Sequence, residues 1–183
     1  MVNRMGTAIG AYAPDFELPG TDNTVHHLAR YLEKYQAVGV VFMCNHCPYV
    51  KLYLERLKQI QSDFAAQSFT LIGINPNDAA QFPADSFDQM KLFVGDQNLN
   101  FPYLRDETQD VAYSFGAKKT PHVFLINQAG VLCYSGAIDN NPNQPEAVSA
   151  FYLRDAIAQV LQGGAVPSNS TEPVGCSVKW RNS

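Results

Sequence analysis

A three-layer α/β domain is the fold class that this 183-residue sequence predicts. Three observations point to it. The apolar run 37–43 lacks polar alternation and suits a central strand buried on both faces, and 68–75 reads as a second buried strand. Helix-patterned segments follow each of them. A late pair of strands, 122–127 and 131–135, flanks the turn Gln128-Ala129-Gly130 and reads as a hairpin. Strands alternating with helices and closed by a hairpin give helices on both faces of a mixed sheet.

The elements follow in order. Residues 13–18 alternate and stop at the turn cluster 19–23, and 24–28 return, which reads as an N-terminal hairpin. After the strand 37–43, a helix is expected over 48–67: Val50, Leu54, Leu57, Ile60 and Phe64 share one face, and Pro48 sits in the first turn, where its missing N–H costs nothing. The second buried strand ends at Pro76-Asn77-Asp78. Ser86-Phe87-Asp88-Gln89 then carries a capping-box pattern that opens another helix. Phe101-Pro102-Tyr103-Leu104 reads as an edge strand, because Pro102 has no ladder donor. A short helix is expected over 108–115, stopped by Gly116, and a last one over 146–161, ended by Gly163-Gly164. We divide the chain into a domain, 1–164, and a tail, 165–183, that packs back on it through Val174, Val178 and Trp180.

Composition narrows the function. A hydrophobic content of 46% with 11 Phe and 9 Tyr is ample for one core. A net charge of −4 and the absence of any basic run argue against a nucleic-acid partner. Neither a leader-like stretch over residues 1–6 nor a bilayer-length apolar segment is apparent, so the expectation is a cytoplasmic protein without a membrane partner, in which the sequon Asn169-Ser170-Thr171 carries no glycan. In that compartment four cysteines are not structural staples, and two at x2 spacing point to catalysis or metal.

Cys44-Asn45-His46-Cys47 directly follows a strand and directly precedes a helix. Two thiols three residues apart in a first helical turn share a face and can close a disulfide with little movement. Cys44 is expected at the helix N-cap, where unpaired N–H groups favour a thiolate. His46, when charged, adds to this, and no acidic residue occurs between Gln36 and Leu54. On this reading Cys44 is the exposed attacking sulfur, and Cys47, less exposed, resolves the mixed disulfide.

The order of motifs resembles the thioredoxin fold, and the opening Ala13-Pro14-Asp15-Phe16-Glu17-Leu18-Pro19-Gly20 is similar to the redoxin (AhpC/TSA) branch of that superfamily. Over roughly 11–180 the chain resembles a peroxiredoxin-like group through residues 44–50 (CNHCPYV), 120–125 (TPHVFL) and 175–180 (GCSVKW). The resemblance implies that the Thr120–Pro121 bond is cis and faces the disulfide, with Thr120 offering its backbone to an extended substrate segment. Two family features are missing. Neither cysteine is preceded by the peroxiredoxin Pro and Thr/Ser, and the buried aspartate of thioredoxins corresponds to about Val38.

The function expected is thus a thiol–disulfide oxidoreductase with no cofactor. Its partners would be protein or small-molecule disulfides and thiols, with thioredoxin or glutathione as reductant. A thiol peroxidase with an antioxidant role is the first alternative. The second is a metal-binding module built from Cys44, Cys47, Cys176 and one of His46 or His122. Cys176 is either a third, relay or resolving thiol or a small buried hydrophobe. His122 and Cys133 read as strand residues. Asn75, Asn77, Asp78 and Asp85 read as turn formers that could border the site.

Overall fold

The computed structural model describes residues 6–182; Met1 to Met5, read above as free of a leader, lie outside them, as does Ser183. The expected fold class is observed. The described elements are β1 (Glu17–Pro19), β2 (Val25–His27), α1 (Leu28–Lys34), β3 (Ala37–Phe42), α2 (Pro48–Phe64), β4 (Phe69–Asn75), α3 (Phe87–Asp96), β5 (Tyr103–Arg105), α4 (Asp110–Phe115), β6 (Lys119–Thr120), β7 (His122–Asn127), β8 (Leu132–Gly136), α5 (Tyr152–Leu161) and β9 (Cys176–Ser177). The five-stranded sheet runs β5-β4-β3-β7-β8. β3 pairs in parallel with β4 and antiparallel with β7, so the sheet is mixed and β3 is its centre.

Period-two alternation splits the sheet into two cores. Ala37, Val41 and Met43 face the side covered by α2, α3 and α5, through residues such as Val50, Leu54, Leu57, Met90 and Ile157. Val38, Val40 and Phe42 face the opposite side, under α1 and α4, with Leu28, Ala112 and Phe115. Because the redox motif follows β3 directly, the most buried strand of the sheet positions it. The β1–β2 hairpin prolongs the β5 edge, where Gly20 bridges Leu104 and the Thr21 N–H reaches the Tyr103 carbonyl at 3.0 Å.

Several elements differ from the expectation, and for three of them the reason is local. α1 is an additional helix; its single apolar turn, Leu28, Tyr31 and Leu32, is too short to stand out as a period. α4 starts at Asp110 because Gln109 is left-handed (φ 69°) and the Asp106 carboxylate takes the amides of Val111 and Ala112. α5 starts at Tyr152 rather than 146, because the Asn140 side-chain carbonyl captures the Ser149 and Ala150 N–H groups. Ser86 caps α3 by accepting from the Gln89 N–H at 3.2 Å, as the capping pattern predicts.

The C-terminal segment runs back over the molecule. β9 pairs antiparallel with β6, Thr120 opposite Cys176 and Lys119 opposite Ser177. Val178 is buried and the Trp180 ring stacks on Tyr113 at 4.1 Å, whereas Val174 is exposed and pins nothing. Side chains from two distant loops hold this segment. Asn77 accepts from the Lys179 N–H (2.9 Å), and Gln109 both donates to the Lys179 carbonyl (3.0 Å) and accepts from the Arg181 N–H (2.9 Å).

Candidate active site

The site begins where β3 runs out. Pro48 takes the first position of α2, and a residue before proline is driven out of the helical region. Cys47 accordingly sits at φ −68°, ψ 125°, and is the N-cap; its carbonyl accepts the first helical hydrogen bond from Lys51 at 3.1 Å. This corrects the expectation that Cys44 caps the helix. Residues 44–46 form a separate loop, tied to the turn Pro83–Asp85. The Asn45 N–H donates to Asp85 Oδ1 (2.7 Å), and the Asn45 side chain donates to the Ala84 carbonyl (2.9 Å) and accepts from the Tyr103 hydroxyl (2.8 Å).

The difference in exposure between the two cysteines is also corrected. Cys44 is 1% and Cys47 0% exposed, so the chain covers both residues equally. Thr120 touches both: its hydroxyl lies 3.6 Å from Cys44 Sγ and its carbonyl 3.3 Å from Cys47 Sγ. The Thr120–Pro121 peptide is cis. The Thr120 edge expected to receive a substrate segment is paired with the chain's own Cys176.

The acid-free stretch 36–54 does not make an acid-free site. Asp85, wholly buried, is brought to Cys44 from beyond β4. Three amides converge on its carboxylate: Asn45 N–H, the Asn77 side chain (3.0 Å) and the Asn75 side chain (3.4 Å). His46 Nδ1 lies 2.5 Å from Asp85 Oδ2, but off the line of a directed hydrogen bond, so the contact acts through charge when the ring is protonated. The ring stacks on Phe82 (5.7 Å, 3°) and stays about one-third exposed, with the Lys179 ammonium on Phe82 at 5.8 Å. His46 thus lies against Asp85, and the donor atoms of both are within 4.8 Å of the Cys44 sulfur.

These surroundings separate the two thiols. Cys47 is held down to about 4, first by the hydrogen bond it accepts from Cys44. Cys176, the Val50 N–H and Thr120 add to this, against burial. Cys44 is pushed well up, first by donating that bond, then by burial and the Asp85 carboxylate. The cause is the surroundings: the donors and the helix N-terminus are at Cys47, and the buried anion is at Cys44. The Thr120 carbonyl contact belongs to the protonated state of Cys47, the only one in which sulfur can donate to it. Cys176 is raised, by burial and then by its bond to Cys47.

The remaining candidates lie apart from this cluster. His122 is buried. It accepts from the Lys118 N–H at 3.2 Å and meets the Ser135 hydroxyl at 3.2 Å, and burial holds its pKa down to about 3. Cys133, on β8, donates to the Val131 carbonyl just before the strand. The donor set named for a metal does not converge as one group; among the described residues the set that does is Cys44, His46 and Asp85, within 4.8 Å. The 2.5 Å contact between His46 and Asp85 leaves no room for an ion between those two atoms.

A buried vicinal dithiol at the start of a helix, beside a cis-proline turn on a mixed sheet, defines a thioredoxin-fold protein of the redoxin type. The AhpC/TSA family profile matches residues 9–135, and the chain belongs to that family. Among solved structures it is similar to a hypothetical protein from Sinorhizobium meliloti 1021, at 33% identity and TM-score 0.90 over 98% of both chains. It is also similar to an uncharacterized conserved protein from Geobacillus kaustophilus, at 35% identity and TM-score 0.89 over 96% of this chain and 94% of that one. A putative thiol:disulfide interchange protein DsbE from Chlorobium tepidum shares the fold at 23% identity and TM-score 0.69, over 85% of this chain and 99% of that one. No curated protein matches. Among the described residues no helix is long and apolar enough to cross a membrane.

Proposed function

We propose that the protein is a cytoplasmic thiol–disulfide oxidoreductase whose exchanging pair is Cys44 and Cys47. The observation that carries this reading is a pair of buried thiols three residues apart at the start of α2, both of them in contact with Thr120 of the cis-proline turn. Four free thiols suit a reducing compartment. In the reduced protein Cys47 is the thiolate. It attacks a disulfide, one thiolate leaves, and a mixed disulfide at Cys47 results. Cys44 then gives up its proton toward the His46–Asp85 pair and attacks the Cys47 sulfur. The second thiolate leaves and takes a proton, so the substrate gains two electrons and the protein holds a Cys44–Cys47 bond. Asp85 and His46 thereby fill the place of the proton acceptor that Val38 cannot supply.

Disulfide mapping by alkylation and mass spectrometry in glutathione buffers tests the reading. A Cys44–Cys47 bond is expected, together with its loss in Cys47→Ser and in Cys44→Ser; a wild-type protein that never closes this bond would refute the proposal.

Family membership favours peroxide as a second oxidant. The Cys47 thiolate would take one oxygen to become sulfenic acid, releasing an alcohol or water, and Cys44 would condense with it to release water. The missing Pro and Thr ahead of either cysteine make this the slower reaction. Stopped-flow consumption of hydrogen peroxide separates the two, since a peroxide reaction faster than disulfide exchange would reverse their order.

A further inference from the structure

The C-terminal segment lies across the site in a way that exchange between Cys44 and Cys47 does not require. Cys176 stands opposite Thr120 in the β6–β9 pair, and Thr120 touches both inner sulfurs. Of the three cysteines around Thr120, only Cys176 is partly exposed. The fit is close: a Cβ on Gly175 would meet the Thr120 carbonyl oxygen at 2.1 Å, so only glycine lets the strand lie this near. Beyond Cys176 the segment is fixed through Val178, Lys179, Trp180 and Arg181 to residues of three other elements or loops. A partner strand would have to displace this whole segment to pair with Thr120. A small thiol needs only the half-buried sulfur at its edge.

We propose that Cys176 is a third exchanging thiol, which takes Cys47 over from Cys44 to give a Cys47–Cys176 disulfide that a small external thiol then opens. The inference rests on the function proposed above. In the first step Cys176 loses its proton and attacks the Cys47 sulfur of the Cys44–Cys47 disulfide. The Cys47–Cys176 bond forms, the Cys44–Cys47 bond breaks, and Cys44 leaves with the electron pair and takes up a proton. The protein's oxidation state is unchanged. In the second step an external thiolate attacks Cys176, the more accessible sulfur, and Cys47 leaves as the better-stabilised thiolate. A second external thiol releases Cys176, leaving three thiols in the protein and one external disulfide.

The test uses the full chain with glutathione as the small thiol. Cys44→Ser, oxidised with diamide and mapped by mass spectrometry, is expected to hold an intramolecular Cys47–Cys176 bond. Gly175→Ala, placed on Cys44→Ser, keeps the Cys47 and Cys176 sulfurs but lifts the strand, and is expected to lose most of that bond. Oxidised wild type is expected to be reduced by glutathione about tenfold faster than oxidised Cys176→Ser, because the latter has no partly exposed sulfur beside Thr120. Absence of a Cys47–Cys176 bond in Cys44→Ser would overturn the inference, as would equal reduction rates for wild type and Cys176→Ser. If Cys176→Ser still closes and opens Cys44–Cys47 in those cases, the function proposed above stands and only the role of Cys176 falls. If Cys44–Cys47 closes in no variant, both fall.

Discussion

Cys44 and Cys47 are both buried and both touch Thr120, yet Cys44 faces the buried carboxylate of Asp85 while Cys47 faces the first turn of α2 and two S–H donors. A charge beside Asp85 is repelled in a region of low dielectric, and a charge at a helix N-terminus is stabilised there. The comparison shows that spacing makes two thiols a pair but does not assign their roles. Those are set by what distant segments place against each sulfur: residues 75–85 at the first, Thr120 and the tail at the second.

The sharpest way to break the comparison is to remove one sulfur at a time. Cys47→Ser is expected to lower disulfide-exchange turnover by at least about a thousandfold, since the group lost is the nucleophile itself. Cys44→Ser is expected to keep only the turnover that Cys176 can resolve, while leaving Cys47 open to alkylation by iodoacetamide at mildly acidic pH. If Cys44 is instead the residue alkylated in acid, the assignment is reversed.

Asp85→Asn sharpens the Cys44 side. Removal of the carboxylate is expected to lower the Cys44 pKa and to slow the resolving step by about a hundredfold, the scale of a lost general base. The diagnostic readout is the pH–rate profile, whose basic limb should move to lower pH; a uniform loss at every pH would mark Asp85 as structural only. Stability should also fall by about 1–3 kcal/mol, because the amides of Asn45 and Asn77 lose a charged acceptor.

The extent of legibility follows the same division. The strand–motif–helix succession was readable because apolar runs, proline and glycine act locally: the order of elements, the capping of α3 by Ser86 and the edge position of β5 follow from neighbours in sequence. The start of α2 was readable too, since Pro48 excludes Cys47 from the helix, but the spacing of the two thiols drew the cap to Cys44 instead. Asp85 was readable only as a turn former that could border the site. It lies 38 residues beyond Cys47, in a polar stretch that resembles any turn, and only the parallel pairing of β3 with β4 brings the two loops together. The cluster Asn75, Asn77 and Asp85 was the available signal: three polar side chains placed just past a wholly buried strand end are positioned to be buried themselves. The contact of Cys176 with Thr120 depends on a chain reversal over 165–175 that carries no periodic pattern.

A third test reads the pair through stability. The folded pKa of Cys47 is depressed to about 4 from an unfolded value of about 8.5. Its contribution is therefore fully present above pH 8.5 and is lost as pH falls toward 4. Cys44 is raised, so its contribution is present below about pH 8.5 and is lost above it. Denaturant unfolding of the reduced protein is expected to show its largest advantage over Cys47→Ser near pH 8, shrinking steadily toward pH 4. An advantage that grows on acidification would contradict the sign. The smallest effect concerns the tail: Trp180→Ala removes the stack on Tyr113 and should cost about 1–2 kcal/mol, seen as a lower denaturant midpoint with an unchanged slope.

The most direct measurement is a site-resolved titration of the reduced chain, following the 13Cβ shifts of labelled Cys44 and Cys47 from pH 3 to 10. The account predicts that Cys47 ionises first, near pH 4, and that Cys44 stays protonated across the range. Ionisation of Cys44 ahead of Cys47, or of neither below pH 8, would contradict it.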